Sequence, residues 1–361
     1  MLSLPDFPWD SLLPYRERAS SHPDGLIDLS VGSPVDDTPA VAQQALAAAS
    51  NAPSYPLTAG SPELILAMAQ WWERRRNTGP LDSTQVLPTM GSKEMVGLLP
   101  TLLGLGVSDT VVIPTVAYPT YAVGAAVVGA SVVAEDDPDR WPSSASLVWI
   151  NSPSNPTGAV LPEHYLVRAI ARAREIGAVL ASDECYAEMA WEVASSPSLL
   201  DRGVTKGNIS GLLALCSLSK QSNLAGYRAG LAAGDPALLS SLLLARKHLG
   251  LIMPTPIQGA VAATLAEDQH VQEQRGRYRA RRELIFPALR AAGFRIDHSE
   301  AGLYAWASRD EECWSSVSWC SERGILVTPG SFYGQAGQHH IRVALTATDA
   351  ACEAAASRLR A

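Results

Sequence analysis

The sequence predicts an α/β protein with a large domain around a mainly parallel β-sheet and a smaller α+β domain. Short apolar runs alternate with helical patterns between residues 85 and 234, as in strands joined by crossover helices. Several polar segments begin where an apolar run ends, which is where ligands gather in open α/β sheets. After residue 275 the pattern changes to a charged helix followed by short, separated strands, which indicates the second unit.

The predicted strands of the large domain are short apolar runs, because a strand of a parallel sheet is buried on both faces. They cover residues 85–88, 111–114, 132–134, 146–150, 178–181, 212–216 and 230–233. The predicted helices between them cover residues 92–103, 118–128 and 162–176. In the smaller unit, a helix at 274–292 precedes strands at 294–296, 302–307, 324–327 and 340–344.

A chain of 361 residues exceeds the size at which one hydrophobic core usually keeps growing. We therefore expect a large domain at 46–274 and a small domain, made of 1–45 and 275–361, that closes over it. The segment 111–134 has no charged residue and is long enough to cross a bilayer. Its prolines and glycines interrupt it, so two strands around a helix are expected there and no membrane span.

Charge and cysteine content exclude several functions. A net charge of -8 argues against nonspecific binding of nucleic acid. The arginines at 74–76 and 279–282 are interpreted as solvated charge on exposed helix faces. Five widely spaced cysteines without a CxxC pattern predict neither a disulfide framework nor a metal site. Residues 1–20 lack the pattern of a signal peptide, so a cytoplasmic protein is expected.

A lysine stands among hydroxyls just after one predicted strand. Residues 216–220 read Cys-Ser-Leu-Ser-Lys, and Arg228 follows Lys220 by eight residues. A lysine amine can form a Schiff base with an aldehyde, while hydroxyls and a guanidinium can bind a phosphate. The segment thus indicates an aldehyde cofactor with a phosphate, such as pyridoxal phosphate. Taken alone, a lysine after a strand is more often a solvated surface charge.

Three other polar segments occupy similar places. Residues 151–158 (Asn-Ser-Pro-Ser-Asn-Pro-Thr-Gly) and Asp183 each follow an apolar run. Gly91, Ser92 and Lys93 lie between a strand and a helix, where free N–H groups and the helix dipole favour a phosphate. By themselves, the first segment is explained as a loop and Asp183 as a helix cap.

Taken together and in this order, these segments resemble the fold type I pyridoxal-phosphate enzymes, specifically the class I and II aminotransferases related to aspartate aminotransferase. The resemblance rests on Asn-Pro-x-Gly at 155–158, Asp-x-x-Tyr at 183–186 and Ser-x-x-Lys at 217–220 with Arg228. It spans nearly the whole chain. It implies a fold type I transferase that binds pyridoxal 5'-phosphate and exchanges amino groups between amino acids and keto acids.

The resemblance also implies roles for residues around the cofactor ring. Lys220 would bind the cofactor aldehyde covalently and move the substrate proton. Asp183 would pair with the pyridinium nitrogen and keep it protonated, so that the ring withdraws electrons. Asn155 and Tyr186 would donate hydrogen bonds to the phenolic oxygen, and Tyr118 would lie on the ring face.

Further roles follow for the phosphate and the substrate. The phosphate would be bound by Gly91, Ser92, Lys93 (mainly through its backbone), Ser217 and Arg228. Tyr55 matches a residue that in relatives crosses to the phosphate of the neighbouring subunit, which implies a homodimer. Arg342 aligns with the arginine that binds the substrate α-carboxylate, and Gly32 lies in the N-terminal loop that closes near it.

The substrate is less constrained, because a fold does not fix it. Aspartate enzymes use a second arginine for the distal carboxylate, and Leu249 aligns with that position. The segments 301–306, 327–334 and 342–348 look most like actinobacterial succinyldiaminopimelate aminotransferases. These would exchange amino groups between glutamate and N-succinyl-2-amino-6-oxopimelate in lysine and cell-wall precursor synthesis. Arg246, Lys247 and His248 are candidates for binding distant carboxylates.

Other interpretations stay open on the same scaffold. The nearest are an aminotransferase for another amino acid and a carbon–sulfur β-lyase. A regulator that uses such a domain as a sensor would need a DNA-binding module, for which the predicted elements leave no room ahead of residue 30. An inactive scaffold is disfavoured because every cofactor-contacting residue type is present.

Overall fold

The computed structural model describes residues 4–361 and contains a seven-stranded sheet, a four-stranded sheet and a pair of two-residue strands. Residues 1–3 of the predicted small-domain segment 1–45 lie outside the described part. The strands are β1 (Ile27–Asp28), β2 (Val86–Thr89), β3 (Thr110–Ile113), β4 (Ser131–Ala134), β5 (Ala145–Asn151), β6 (Val179–Asp183), β7 (Leu212–Ser217), β8 (Gly230–Gly234), β9 (Arg295–Ile296), β10 (Tyr304–Ser308), β11 (Ile325–Leu326), β12 (Thr328–Pro329) and β13 (Ile341–Ala344).

Helices surround these sheets and begin and end at residues that favour helix termini. For example, Ser61 caps the third helix, and its hydroxyl accepts the N–H of Leu64. The helices are α1 (Leu13–Ser20), α2 (Ala40–Ala48), α3 (Pro62–Arg76), α4 (Ser92–Leu102), α5 (Thr120–Val128), α6 (Glu163–Ile176), α7 (Arg202–Thr205), α8 (Leu218–Gln221), α9 (Pro236–Leu249), α10 (Thr255–Leu265), α11 (Gln269–Ala291), α12 (Cys313–Glu322) and α13 (Asp349–Arg360).

The seven-stranded sheet has the order β2-β8-β7-β6-β5-β3-β4. Strands β4, β3, β5, β6 and β7 run parallel, while β8 runs antiparallel to both of its neighbours. The connection from β7 to β8 contains only the one-turn helix α8, so it provides no crossover and the chain turns back. The α/β fold with a mainly parallel central sheet is thus confirmed.

Both faces of the parallel strands β3, β5, β6 and β7 are buried, as their apolar runs predict. The prediction of a buried strand was wrong for residues 132–134, because β4 is an edge strand and mostly exposed. Leu147 and Trp149 of β5 pack on one face, and Val148 and Ile150 pack on the other. This alternation follows from the two-residue period of a strand. The carboxyl ends of β5, β6 and β7 therefore lie side by side above a rigid core, and the loops that follow them are held in fixed positions.

The second sheet has the antiparallel order β12-β13-β10-β9. Its helices α11 and α13 pack against each other, and α12 adds Val317 and Cys320 to the same apolar cluster. Strand β1 pairs in parallel with β11, which brings the N-terminal segment onto this unit. Neither β1 nor β12 was predicted, whereas the equally short β9 and β11 lie within the predicted strands 294–296 and 324–327. The domain limits 46–274 and 275–361 stay a prediction.

The uncharged segment 111–134 is divided into β3, α5 and β4. Among the helices described in residues 4–361, none combines the length and the apolar character that a membrane span requires.

Two of the arginines interpreted as solvated charge are in fact buried. Arg76 is 4% exposed, and its guanidinium lies 2.7 Å from the carboxylate of Glu184. Arg281 is also buried and binds Asp36 at 2.5 Å and Asp349 at 2.6 Å. The interpretation was wrong because each partner comes from a distant segment, so the local helix pattern shows only a charged residue.

We expect the substitution Arg76→Ala to destabilise the fold strongly. Burial opposes the charge of Arg76, but Glu184 holds its pKa above the ordinary value. Without the guanidinium, the buried Glu184 carboxylate would keep only the hydroxyl of Ser198 and the N–H of Leu199. Removing one member of such a pair costs about 3 to 5 kcal/mol. Urea unfolding measures this loss.

The matched control is Arg168→Ala, since Arg168 pairs with Asp137 and Asp139 at the surface. Exposed pairs contribute little to stability, so this variant should unfold near the wild-type midpoint. Equal midpoints for the two variants would contradict the assigned importance of the buried pair.

Candidate active site

A cavity of about 1630 Å³ opens where the carboxyl ends of the parallel strands face the four-stranded sheet and the N-terminal segment. Most of the predicted site residues line it, although they are spread over the chain. They are Gly32, Ser92, Lys93, Tyr118, Asn155, Asp183, Tyr186, Ser217, Lys220, Arg228 and Arg342. Gly91 lies immediately beside the cavity, against Arg228. Tyr55 does not line it.

Lys220 is placed by the one-turn helix α8, which starts directly after β7. The hydroxyl of Ser217 caps this helix by accepting the N–H of Ser219 at 3.1 Å. The backbone carbonyl of Lys220 accepts a hydrogen bond from the hydroxyl of Tyr278, at 3.4 Å. Ser217 and Tyr278 therefore fix the backbone around Lys220, which lines the cavity.

Asp183 ends β6 and is held by two donors. The hydroxyl of Tyr121 donates to one carboxylate oxygen at 2.9 Å, and the N–H of Cys185 donates to the other at 3.2 Å. Burial and then the charge of Asp183 raise the pKa of Tyr121 well above its ordinary value, so Tyr121 stays protonated as a donor. Tyr121 was not predicted; it lies in the first turn of α5, and its ring contacts that of Tyr118 at 5.8 Å.

Arg342 is buried against the loop that follows β5. Its guanidinium donates to the side-chain oxygen of Asn155 at 2.9 Å and to the carbonyl of Ser30 at 2.7 Å. It is 4% exposed, and its Nε has no hydrogen-bond partner. Within residues 4–361 no carboxylate lies within ion-pairing distance of it. Because a buried charge without a counter-ion is costly, this geometry provides a site for an anion.

The rings of Tyr304 and Tyr333 lie over that guanidinium. The ring of Tyr304 lies 4.1 Å from the guanidinium carbon of Arg342, and its hydroxyl is 2.9 Å from that of Tyr186. Burial raises the pKa of the Tyr186 hydroxyl, so it remains a donor. Gly32 packs on the Tyr304 hydroxyl so closely that an added Cβ would overlap it. Tyr304 was not predicted, since it begins a strand that otherwise reads as core.

The other end of the cavity suits a phosphate. Helix α4 starts at Ser92, and no side chain caps its first N–H groups, which leaves them available with the positive end of the helix dipole. Gly91 has φ of +80°, and a Cβ there would come within 2.5 Å of the Arg228 guanidinium. The glycine therefore allows the arginine to approach the helix start. The chain provides an amine, an anion site and a phosphate cradle in one cavity, which fits pyridoxal phosphate.

Cys185 also lies at this end, with its thiol 3.0 Å from the hydroxyl of Ser92. Burial and then the charge of Asp183 raise the pKa of the thiol well above its ordinary value. The thiol is thus protonated and is a poor nucleophile. No group of three or more potential metal ligands occurs within the described 4–361 range.

The mouth of the cavity is largely apolar. The N-terminal residues Phe7 and Trp9 stack at 5.4 Å, and Trp9 contacts Phe332 at the same ring distance. Val123 and Ala126 of α5 also line the cavity. Two further cations line the cavity: Arg16, which pairs with Asp28 at 2.5 Å, and Lys93, at the start of α4 beside the Tyr118 ring. Over the described part of the chain, Lys93 has no carboxylate partner.

The candidates for binding distant carboxylates, Arg246, Lys247 and His248, do not line the cavity of this chain. Arg246 is fully buried and binds Glu94 at 2.7 Å and the carbonyl of Leu251. Lys247 and His248 are exposed at the end of α9. The expectation was wrong for Arg246 because a nearby acid on α4 already neutralises it.

Comparison with known proteins agrees with this geometry. The family model for aminotransferase class I and II matches residues 24–359. The chain is 51% identical over 360 residues to 4-dedimethylamino-4-oxo-anhydrotetracycline transaminase OxyQ of Streptomyces rimosus, covering 99% of this chain and all of that one. It is 49% identical over 358 residues to the probable aminotransferase Rv1178 of Mycobacterium tuberculosis, covering 99% and 85%.

A solved structure, the probable N-succinyldiaminopimelate aminotransferase of Thermus thermophilus, superposes with a TM-score of 0.88 at 28% identity. The match covers 98% of this chain and 99% of the other. The fold type I architecture therefore extends over the whole described chain.

Replacing Lys220 by Ala should abolish covalent attachment of pyridoxal phosphate, because Lys93, the other lysine lining the cavity in residues 4–361, lies at the start of α4. The visible absorbance of the cofactor–lysine bond should disappear, and borohydride should no longer fix the cofactor to the protein. Lys247→Ala, at an exposed position, is the control and should keep both signals. A borohydride-fixed cofactor in the Lys220 variant would refute the assignment.

If Arg342 binds the carboxylate of an amino acid, replacing Gly32 by Ala should weaken that binding, because the new methyl group would push Tyr304 away from Arg342. We expect KM for the amino acid to rise about tenfold, equivalent to about 1.4 kcal/mol of binding. Steady-state kinetics measure it. Gly276→Ala is the control, because a Cβ there meets nothing within 4 Å. Unchanged KM in the Gly32 variant would contradict the role of this contact.

Proposed function

The chain belongs to the class I and II aminotransferases and is a pyridoxal-phosphate-dependent aminotransferase, and from this premise we propose that it transfers the amino group between N-succinyl-LL-2,6-diaminopimelate and 2-oxoglutarate. The observation that carries the proposal is the buried, unneutralised guanidinium of Arg342 in the same cavity as Lys220 and Asp183. An amino acid whose carboxylate binds Arg342 would present its Cα hydrogen to the lysine amine.

Bound in this cavity, pyridoxal phosphate supplies an aldehyde that takes up the amino group and a ring that withdraws electrons from the substrate Cα. In our proposal Asp183 holds the proton on the ring nitrogen, and Tyr121 fixes the orientation of its carboxylate. Lys220 would remove the proton from the substrate Cα and deliver it to the aldehyde carbon of the cofactor. Tyr118 packs on the ring face.

The remaining polar groups bind the cofactor and fix its orientation. Ser92, Ser217 and Arg228 hold the phosphate, together with backbone N–H groups at Gly91 and Lys93. Asn155 and Tyr186 donate to the phenolic oxygen. In this structure the amide oxygen of Asn155 accepts from Arg342, which leaves its NH2 group to donate. Asn155 thus contacts the cofactor through its NH2 group and Arg342 through its oxygen, and so links the two binding positions.

The proposed substrate has a reacting amino acid at one end, methylene groups in its middle and further carboxylates at its far end. The cavity of about 1630 Å³ is larger than a short dicarboxylic acid needs. Its apolar mouth, formed by Phe7, Trp9 and Phe332, suits the methylene groups. Lys93 and Arg16 are the cations that could receive the far carboxylates. Aspartate specificity is not favoured, as Leu249 occupies the position of the second arginine.

A second candidate is transfer to a bulky polycyclic ketone. The 51% identical relative from Streptomyces rimosus carries the name of a transaminase for such a compound. The aromatic side chains at the cavity mouth could also pack on flat rings. A carbon–sulfur β-lyase is the remaining alternative, and it would need no keto acid.

The proposal includes a homodimer located in the cytosol. Tyr55 is 97% exposed and lies away from the cavity of its own chain, so it is available to reach the phosphate site of a second copy. The five cysteines Cys185, Cys216, Cys313, Cys320 and Cys352 are all free, which suits a reducing compartment.

Single half-reactions followed by cofactor absorbance test the substrate. N-Succinyl-LL-diaminopimelate and glutamate should each convert the cofactor to its amine form. Aspartate and LL-diaminopimelate without the succinyl group should have kcat/KM at least about tenfold lower, because each lacks contacts of about 1.4 kcal/mol. The unsuccinylated compound is the matched control, since it differs only in the acyl group.

Three outcomes separate the candidates. Equal kcat/KM with and without the succinyl group would contradict the proposed substrate. Preferential amination of a polycyclic ketone would favour the second candidate. Release of ammonia and pyruvate from cystathionine without a keto acid would indicate the lyase.

A further inference from the structure

The loop that follows Lys220 is bound to two other segments through one side chain. Asn223 is 9% exposed and has φ of +51°, in the left-handed region that few residues other than glycine adopt. Its amide NH2 donates to the side-chain oxygen of Gln274 at 2.8 Å and to the carbonyl of Asp37 at 3.2 Å. The hydroxyl of Thr38 donates to the Asn223 carbonyl at 3.3 Å. Three segments thus meet at this residue.

One of these segments is residues 30–38, which we call the N-terminal strap. At its far end the carbonyl of Ser30 accepts from the guanidinium of Arg342 at 2.7 Å and from the hydroxyl of Thr328 at 2.6 Å. At its near end Asp37 and Thr38 bind Asn223. The strap therefore connects the proposed carboxylate-binding arginine with the loop that carries the lysine.

The near end of the strap is fixed by buried charge. Asp36 accepts from Gln274 at 2.7 Å and from two nitrogens of Arg281 at 2.8 Å and 2.5 Å. Burial by itself would raise the pKa of Asp36, but Arg281 and Gln274 hold it below the ordinary value. A bidentate, largely buried pair of this kind resists displacement. Gln274 therefore links Asp36 to Asn223 through a rigid support on α11.

We propose that Asn223 is a positioning residue for the amino-transfer reaction: through Gln274 and the N-terminal strap, it fixes the lysine backbone relative to Arg342. The substrate Cα is one bond from the carboxylate carbon, so the lysine amine must lie at a set distance from the guanidinium. An error of about 1 Å in such an arrangement can lower the rate by up to about 100-fold. This inference rests on the proposed roles of Lys220 and Arg342.

The variant Asn223→Gly tests the proposal, because glycine adopts the left-handed conformation without strain and only the amide is lost. We expect kcat of the glutamate half-reaction to fall about tenfold, with KM within about twofold of wild type. Asn77→Gly is the matched control. Asn77 has φ of 53° and its amide binds the Asp201 carboxylate away from the cavity. It should leave kcat and KM unchanged.

A second variant and a hydrogen-exchange measurement distinguish loss of positioning from general misfolding. Gln274→Met removes the other half of the contact at similar volume, and it should lower kcat to the same degree. The double variant with Asn223→Gly should lose less than the sum of the two single losses, because both single variants break the shared Asn223–Gln274 bond. Hydrogen exchange of backbone amides in residues 30–38 should accelerate in both variants and not in Asn77→Gly.

Several results would overturn the inference. Wild-type kcat in Asn223→Gly, a loss confined to KM, or additive losses in the double variant would each show that Asn223 does not position the lysine. Absence of transamination in the wild-type protein would instead refute the proposed function. In that case, unchanged exchange in residues 30–38 would separately show that the strap is not held by Asn223.

Discussion

The side-chain amide of Asn151 joins the segments on which the active site depends. It lies at the end of β5, paired in register with Asp183 of β6. Its NH2 group donates to the carbonyl of Asp183 at 2.8 Å, and its oxygen accepts the N–H of Asn155 at 2.7 Å. Asp183 faces the proposed position of the ring nitrogen, and Asn155 binds Arg342. One buried amide thus fixes the spacing between Asp183 and the Asn155–Arg342 contact.

The charges around that amide are arranged for anionic ligands. The chain has a net charge of -8, yet the cavity contains Lys220, Arg228 and Arg342, and across residues 4–361 none of these forms an ion pair with a carboxylate. Elsewhere the buried arginines Arg76 and Arg281 each have an acidic partner. The difference leaves Lys220, Arg228 and Arg342 available for anionic ligands, which would complete their charge balance on binding.

The sequence predicts the central sheet and the residues at its edge because both carry local signals. Apolar runs mark β5 to β7, and the polar residues that follow them, such as Asp183 and Lys220, fall at one edge by the geometry of parallel strands. Arg76, Tyr121 and Tyr304 were misread or missed for a common reason: their roles depend on partners from distant segments. Arg76 meets Glu184, and Tyr304 meets Gly32 and Tyr186. Local hydrophobic periodicity gives no information about contacts between distant segments.

The N-terminal segment connects the mouth of the cavity with Arg342. Residues 4–38 have a single two-residue strand, and they are held by partners nearly 300 residues away, such as Ile325 on Ile27 and Thr328 on Ser30. Phe7 and Trp9 of this segment line the cavity mouth, while Ser30 supports Arg342. Under the proposed function, the same segment would contact the far end of the substrate while supporting Arg342, so binding of the far end would bear directly on the alignment of Arg342 with Lys220. Binding energy from the remote part of a long substrate can then be used at the reacting carbon, which a shorter amino acid cannot provide.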